Sequence, residues 1–363
     1  MSTFSTVLLY CGTFILCMIF TYFSDKTGKK YGLILAGLFL TALAGFRAYS
    51  VGVDTQPYLE SIFYRFETGA SDWKMTSFST GYAVFTKCIL LIWDNATLLL
   101  LVEAAITNGL ILMRCWDFRR SGNLTYMVFV YLMTIYLQTM CLTCQYIAIA
   151  IVFFATRFLE KRHPIVFCIC TALASCIHTS AVIGFLAIGV YLILKKACGT
   201  IEYFLKILSF PVLLAALLLA YQMLSSRYSS YSSKSSSVGF MVFAQLAIFL
   251  AVLAYTHLWR LNTDKTNHDD QQTYRIVILL YACGILLSAS SYVISNAGRI
   301  AYYFTIMAVP YYAICDSRIR RKNTPENMVI RYVLCSWFIV YFAYVFLARD
   351  PIGVLHYSTI FTS

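Results

Sequence analysis

Runs of apolar residues close to the length of a membrane-spanning helix recur along the whole chain of 363 residues. A helix needs about 20 apolar residues to cross the hydrocarbon core of a bilayer. The chain is 60% hydrophobic and 12% charged, with a mean hydropathy of +0.72. A soluble domain of this length has no interior that could bury so much apolar surface. The sequence therefore predicts an all-α polytopic membrane protein with a single membrane domain over residues 1–363.

The apolar runs define the predicted membrane segments, about 12 to 14 in number. They cover residues 6–23, 31–49, 78–93, 96–113, 124–140, 142–160, 164–194, 202–224, 239–259, 274–294, 300–315 and 329–347. The 13 cysteines lie mostly inside these runs, and no spacing between them resembles a zinc site or a disulfide framework. We therefore expect neither a bound metal nor another cofactor.

Lysine and arginine are concentrated in some of the connections, which predicts the orientation of the chain. The basic connections are 24–30, 114–120, 157–163, 195–206, 260–265 and 316–322. The positive-inside rule places them in the cytoplasm. The net charge of +12 is thus explained by topology, and nucleic acid is not an expected partner. Successive connections alternate between the two sides of the membrane, so residues 46–77, 225–237, 295–299 and both termini are predicted to lie outside.

Two runs do not fit a simple crossing. Run 164–194 starts and ends at cytoplasmic connections, and one helix over its length would be about 46 Å long, against a core of about 30 Å. We predict that it turns back near His178. Segment 78–93 is short and carries Lys87, so we predict a re-entrant or interfacial helix. Glu103, deep in the next segment, needs a partner in the membrane, and Lys87 is a candidate.

Several charged residues lie on the predicted outer side at the ends of apolar runs, where arginine is unfavourable for insertion. They are Arg47, Arg227 and Arg299, together with Asp54 and His178. Arginine binds pyrophosphate through paired, charge-assisted hydrogen bonds, and the pyrophosphate of a lipid carrier would lie at this depth. Each residue also has an ordinary explanation, since arginines anchor helix ends and aspartate caps helices.

The two larger outer connections differ in character. Residues 46–77 predict a non-cytoplasmic loop with short amphipathic helices, because Asp54 and Pro57 form a helix start. Residues 225–237, SSRYSSYSSKSSS, are rich in serine and tyrosine and predict a mobile non-cytoplasmic loop. This loop is either a plain linker or a sugar-binding lid.

Four stretches of the chain resemble one protein family. They are FRAYSVGVDTQPYLESIF (46–63), STGYAVF (79–85), TCQYIAIAIVFFATRFLEKRHPIVFCICTALASCIHTSAVI (143–183) and NAGRIAYYF (296–304). Their order and content are similar to the EpsG family of bacterial polysaccharide polymerases, which act like the Wzy polymerases of O-antigen and capsule. The family often has Arg-Gln where this chain has Cys144-Gln145. Arg227 is a candidate replacement for that basic contact.

The resemblance implies a glycosyltransferase with a GT-C-like membrane architecture in the bacterial cytoplasmic membrane. Such an enzyme transfers a glycan from undecaprenyl pyrophosphate to a sugar hydroxyl of a second lipid-linked repeat unit, on the periplasmic or exterior face. The implied partners are the two lipid-linked substrates, the bilayer and a chain-length regulator protein. The alternatives are a flippase or other transporter of lipid-linked oligosaccharides, or a membrane O-acyltransferase that uses a buried histidine.

The predicted site assigns each residue a role. Arg47, Arg299 and Arg227 bind the pyrophosphate of the donor and stabilise the charge that develops on it. His178 and Asp54 are the two candidates for the general base, with His178 preferred because the pKa of an unperturbed histidine lies near neutrality. Further sugar contacts are predicted from the side chains of Gln145, Tyr58, Asn296 and Tyr302.

Overall fold

The regular elements of the protein are helices throughout the part of the chain that its computed structural model describes, residues 2–68, 79–195, 240–258, 268–291, 297–321 and 324–361. The first ten helices are α1 (Thr3–Thr27), α2 (Tyr31–Gly45), α3 (Thr55–Thr68), α4 (Thr80–Ile92), α5 (Ala96–Phe118), α6 (Leu124–Thr134), α7 (Tyr136–Thr139), α8 (Thr143–Glu160), α9 (Pro164–Ile177) and α10 (Leu186–Lys195). A 3₁₀ helix (Thr179–Phe185) joins α9 to α10. The remaining helices are α11 (Phe240–Leu258), α12 (His268–Ser290), α13 (Ala297–Thr305), α14 (Ala308–Arg321) and α15 (Pro325–Phe342), which continues as a π-helical turn (Ala343–Ala348).

Long apolar helices confirm the predicted class of the protein. Five helices within the described residues are long and apolar enough to cross a membrane: Thr3–Thr27, Ala96–Phe118, Thr143–Glu160, Gln271–Ser290 and Pro325–Ala348. On α1 the side chains of Leu8, Ile15 and Ile19 are exposed, as expected of a surface that contacts lipid rather than water. The chain is thus an all-α polytopic membrane protein, and its GT-C-like architecture stays a prediction.

The basic connections meet at one end of the bundle, which we call the basic end. Arg114 of α5 donates a hydrogen bond to Glu160 of α8, which brings connections 114–120 and 157–163 together. The carboxylate of Asp25, in the last turn of α1, lies within electrostatic range of Arg119 and Arg320. Four connections that the sequence assigns to the cytoplasm therefore share one end.

The opposite end is covered by two segments that pair with each other. The main-chain N–H of Ala48 donates to the carbonyl of Ser358 at 2.8 Å, and that of Gly52 donates to the carbonyl of Gly353 at 2.9 Å. The hydroxyl of Tyr10 on α1 fixes the C-terminal segment through the carbonyl of Val354 at 2.8 Å. Residues 46–54 and 350–361 thus lie at the same end, as the distribution of the basic connections predicts.

Run 164–194 turns back at His178 as expected. Helix α9 ends at Ile177, and His178 is extended, with φ −142° and ψ 118°. A Cβ placed on Gly184 would lie 3.1 Å from the Cγ2 atom of Thr171, so the segments on either side of His178 run alongside each other. The reversal places His178 at the same end of the bundle as residues 46–54.

The second irregular segment forms a short helix that is held against α5. Helix α4 has 13 residues, a length of about 20 Å, which is too short for a hydrocarbon core of about 30 Å. The hydroxyl of Tyr82 donates a hydrogen bond to the buried carboxylate of Glu103. Lys87 is exposed, so the expected partnership of Glu103 with Lys87 is wrong. The phenol of Tyr82 donates the hydrogen bond that the sequence prediction expected from Lys87.

Substitution of one glycine tests the helical hairpin formed by α12 and α13. A Cβ on Gly284 would lie 2.5 Å from the main-chain nitrogen of Thr305, so Gly284→Ala must push the two helices apart. We expect a loss of roughly 1–3 kcal/mol of stability, seen as a lower thermal midpoint of the purified protein in detergent. The matched control is Gly109→Ala on α5, where a Cβ meets nothing within 4 Å. Equal midpoints for the two variants would contradict this packing.

Candidate functional site

An exposed arginine faces a carboxylate at the end of the bundle opposite the basic end. Arg299 lies in the first turn of α13, and its Nη2 atom is 3.7 Å from the Oδ2 atom of Asp54. The side chain of Arg299 is 58% exposed and that of Asp54 is 27% exposed. Asp54 immediately precedes α3, and its carbonyl accepts the N–H of Tyr58 at 3.2 Å. An ion pair this open leaves donors of the guanidinium free to meet a ligand.

The start of α8 holds the helix that carries Arg299. The Nε2 atom of Gln145 donates to the carbonyl of Arg299 at 2.8 Å. The ring of the next residue, Tyr146, stacks on Tyr302 with 6.0 Å between ring centroids. Gln145 is buried, so this hydrogen bond is protected from water. Two of the predicted sugar contacts, Gln145 and Tyr302, therefore hold α13 in place.

The imidazole of His178 is connected to the same helix through a serine. The Nδ1 atom of His178 lies 2.6 Å from the Oγ atom of Ser180, which lies 3.0 Å from the hydroxyl of Tyr303 on α13. A hydrogen bond at one ring nitrogen fixes the ring orientation and leaves the other nitrogen for chemistry. The sequence prediction missed Ser180 and Tyr303, although the His-x-Ser spacing placed the serine beside the histidine.

Burial and charge make His178 a neutral imidazole. His178 occupies the turn between α9 and the 3₁₀ helix, outside both elements. Burial and, as a smaller contribution, the positive charge of Arg299 together lower its pKa to about 4. The ring is therefore unprotonated at neutral pH, and in the free enzyme it is a weaker base than an ordinary histidine. Asp54, His178 and Arg299 thus come from three distant parts of the chain to one site.

Arg47, in contrast, is completely buried. Its guanidinium donates to the carbonyl of Ala44 and, at 2.8 Å, to that of Met140. The hydroxyl of Thr55 also donates to the Met140 carbonyl, at 3.2 Å. These bonds tie the chain on either side of Asp54 to the turn between α7 and α8. The two predicted pyrophosphate ligands that the structure describes therefore have different surroundings: Arg299 is open and Arg47 is enclosed.

The remaining predicted contacts divide into one near the site and two outside the described residues. Tyr58 lies one turn after Asp54 and within electrostatic range of both Asp54 and Arg299. Arg227 and Asn296 lie outside the described residues. Across the residues that the structure describes, no group of three or more His, Cys, Asp or Glu side chains converges as a metal site would require.

The arrangement combines three chemical functions at one place. The guanidinium of Arg299 can bind an anion with several oxygens, such as a phosphate. The neutral imidazole of His178 or the carboxylate of Asp54 can accept a proton from a hydroxyl. Binding of an anion to Arg299 would also weaken the charge that holds the pKa of His178 down. Such a site is suited to breaking a bond to a phosphate leaving group while deprotonating an attacking hydroxyl.

Comparison with known proteins identifies a family. A family model described as the EpsG family matches residues 30–359, a range that contains every residue of the site. No significant match to the chain is found among curated proteins or among solved structures.

Proposed function

Because the chain belongs to the EpsG family, we propose that it polymerises lipid-linked polysaccharide repeat units such as those of O-antigen, capsule or exopolysaccharide. Membership of this family indicates a polysaccharide-polymerase type of function, and the long apolar helices place the protein in a membrane. In the proposed reaction, a glycan passes from undecaprenyl pyrophosphate to a sugar hydroxyl of a second lipid-linked repeat unit. A chain-length regulator remains a proposed partner of the protein.

The donor pyrophosphate is assigned to Arg299. This guanidinium is open to the surroundings and its paired carboxylate is 3.7 Å away, so an incoming pyrophosphate can compete for its donors. As the bond between the anomeric carbon and the phosphate oxygen breaks, that oxygen keeps the electron pair. A fixed positive charge beside it lowers the barrier because the charge is already in place. Arg227, outside the described residues, is proposed as a second contact.

The acceptor hydroxyl is assigned to the pair formed by His178 and Asp54. The hydroxyl oxygen forms the new bond to the anomeric carbon, and its proton passes to the general base. We prefer His178, since its ring is neutral and is oriented by Ser180. In that case Asp54 orients the acceptor or binds a sugar hydroxyl. If Asp54 is the base, the same proton passes from the acceptor hydroxyl to its carboxylate, and His178 orients the acceptor instead.

We propose that Arg47 has a structural role and stabilises this site from its buried position. Its hydrogen bonds to two main-chain carbonyls fix the loop that ends at Asp54. The buried carboxylate of Glu103 offsets its charge electrostatically. Its predicted contact with pyrophosphate would require the covering segment 350–361 to move, so we assign the direct contact to Arg299 first.

The orientation of the site follows from the distribution of charge. Connections rich in lysine and arginine stay in the cytoplasm, and the structure gathers four of them at the basic end. The site lies at the other end and is therefore proposed to face the periplasm or exterior of a bacterial cytoplasmic membrane. A polymerase that uses translocated lipid-linked units needs this orientation.

The acidic side of the pH profile tests the environment described for His178, in the case that this ring is the base. Only the neutral ring accepts a proton, and the pKa of the free enzyme's histidine is lowered to about 4. We therefore expect kcat/KM to stay level from pH 7 to about 5 and to fall by half near pH 4, whereas an ordinary histidine gives a midpoint near 6.5. Initial rates at matched ionic strength measure this. A midpoint between 6 and 7 (roughly the unperturbed range) would contradict the environment described for His178.

The single observation that carries the proposal is the convergence of Asp54, His178 and Arg299. The test uses the purified protein in liposomes with undecaprenyl-pyrophosphate-linked repeat units as the only substrate. We expect a ladder of longer glycans and release of undecaprenyl pyrophosphate without added nucleotide sugar. A transporter would instead move the labelled lipid across the membrane without release, and an acyltransferase would need an acyl donor. Either outcome would overturn the proposed reaction.

A further inference from the structure

A cavity of about 240 Å³ lies beside the site, between α6, α7, α8, α11, α12, α13, α14 and α15. Two amide side chains, Gln138 and Gln245, line it. Its aromatic lining consists of Tyr146, Tyr281, Tyr302, Trp337, Phe338, Tyr341 and Phe346. Ligand sites of proteins combine apolar and aromatic walls with a few placed polar groups, and this cavity has that composition.

The cavity and the site share one helix. Gly298 and Tyr302, which flank Arg299 on α13, both line the cavity. Tyr302 stacks on Tyr146, which also lines it and directly follows Gln145. A group held in the cavity would therefore lie next to a pyrophosphate bound at Arg299. Arg299 and Tyr302 are a single helical turn apart, so the group in the cavity and the pyrophosphate can belong to one substrate.

The polar groups of the cavity are held in fixed positions. The Nε2 atom of Gln245 donates to the hydroxyl of Tyr281 at 3.0 Å. The hydroxyl of Tyr146 donates to the Oε1 atom of Gln138 at 2.5 Å. An amide carries both donors and an acceptor, and a tyrosine hydroxyl carries one of each. Sugar hydroxyls, which also donate and accept, are complementary to such groups, and flat aromatic rings are complementary to the apolar faces of a sugar ring.

The lining is also uncharged. Among the described residues that line the cavity there is no Asp, Glu, Lys, Arg or His. A carboxylate or phosphate inside it would lose its hydration without a compensating charge, which is strongly unfavourable. A polyprenyl chain would leave unpaired those amide donors and acceptors that the protein does not itself satisfy, at a cost of about 1–3 kcal/mol for each buried group. An uncharged polar molecule satisfies the lining best.

We propose that this cavity binds an uncharged sugar unit of the glycan and so selects for neutral sugars next to the point of transfer. The inference rests on the proposed function and adds a sugar-binding site with a stated charge preference. Its volume of about 240 Å³ lies just below the range of about 300–1,000 Å³ that is usual for small-molecule sites. The cavity therefore holds a short part of the glycan and not a whole repeat unit.

Direct binding tests the cavity without relying on turnover. The probe is a free oligosaccharide. It is released from the lipid-linked repeat unit of the organism that produces this protein. Binding to the purified protein in nanodiscs is measured by saturation-transfer NMR and calorimetry. We expect Gln245→Leu and Tyr341→Leu to weaken binding at least tenfold. The matched control is Tyr332→Leu on the same helix, whose side chain is 67% exposed, and it should bind as the wild type does.

A second probe tests the preference for uncharged sugars. Oxidation of the primary hydroxyls of the same oligosaccharide to carboxylates should also weaken binding at least tenfold. Size-exclusion profiles show whether each variant is folded. If only one of the two cavity variants is folded, that variant alone is compared with the wild type. Failure of the wild type to bind the unmodified probe, equal binding by all variants, or equal binding of the oxidised probe would overturn the proposal.

The outcome is separable from that of the proposed reaction. Arg299→Ala should still bind the free oligosaccharide, because that probe carries no pyrophosphate. If the wild type binds the probe through the cavity but forms no polymer, the reaction is wrong and the sugar site stands. If polymer forms and the cavity variants bind normally, the sugar site is wrong and the reaction stands.

Discussion

Arg299→Ala is expected to lower kcat for polymer formation by about 10²–10³-fold, the usual loss when one preorganised donor to a developing anion is removed. The guanidinium is 58% exposed beside Asp54, and it is the group that we expect to contact the leaving pyrophosphate. Its removal leaves that charge unsupported in a partly dry site. Arg299→Lys keeps the charge but loses the paired geometry, so we expect it to retain a small part of the activity.

The control for Arg299 is a second arginine at the same end. Arg349, directly after the π-helical turn that continues α15, is exposed and contacts the ring of Tyr344. Arg349→Gln should leave kcat within about twofold, as expected of a surface change. Initial rates with purified lipid-linked repeat units measure all three variants at equal protein amounts. Wild-type kcat in Arg299→Ala would remove the central electrostatic element of the mechanism.

His178→Gln is expected to lower kcat by about 10²–10⁴-fold, the contribution that a positioned general base usually makes. The amide of glutamine can keep a hydrogen bond to Ser180 but cannot accept the proton of the acceptor hydroxyl. If His178 is the base, Asp54→Asn should cost less than His178→Gln, and the order should reverse if Asp54 is the base. Rates of polymer formation at pH 7 give the comparison.

Two controls separate this chemical role from a structural one. His356, exposed in the C-terminal segment at the same end, should tolerate His356→Gln without loss of rate. Ser180→Ala removes the group 2.6 Å from the Nδ1 atom of His178 and should reduce kcat more than it changes KM. A fully active His178→Gln variant with normal membrane levels would exclude the imidazole from the reaction.

The positions of charged residues and the lengths of the apolar runs were sufficient to predict which connections share one end of the bundle and where the chain turns back. Basic connections share one end because lysine and arginine resist transfer across the membrane, and the structure joins Arg114 to Glu160 there. The reversal at His178 followed from a run too long for one crossing. These features depend on local composition, so the sequence contains the information directly.

The roles of individual site residues depended on contacts between distant parts of the chain. Arg47 and Arg299 are the same residue type at the same end, yet segment 350–361 covers the first and leaves the second open. No local pattern distinguishes them. The link from His178 through Ser180 to Tyr303 spans 123 positions between its last two members, and the cavity is lined from eight helices. Such features exist only after packing.

The most direct test of the account is the position of bound undecaprenyl pyrophosphate, determined by cryo-electron microscopy of the purified protein with that lipid. We expect phosphate oxygens at about 2.7–2.9 Å from the guanidinium nitrogens of Arg299, as in charge-assisted pairs, with Asp54 and His178 beside the pyrophosphate. Density for the pyrophosphate at the basic end, or at the opposite end but away from Arg299, would contradict the proposed site and the mechanism built on it.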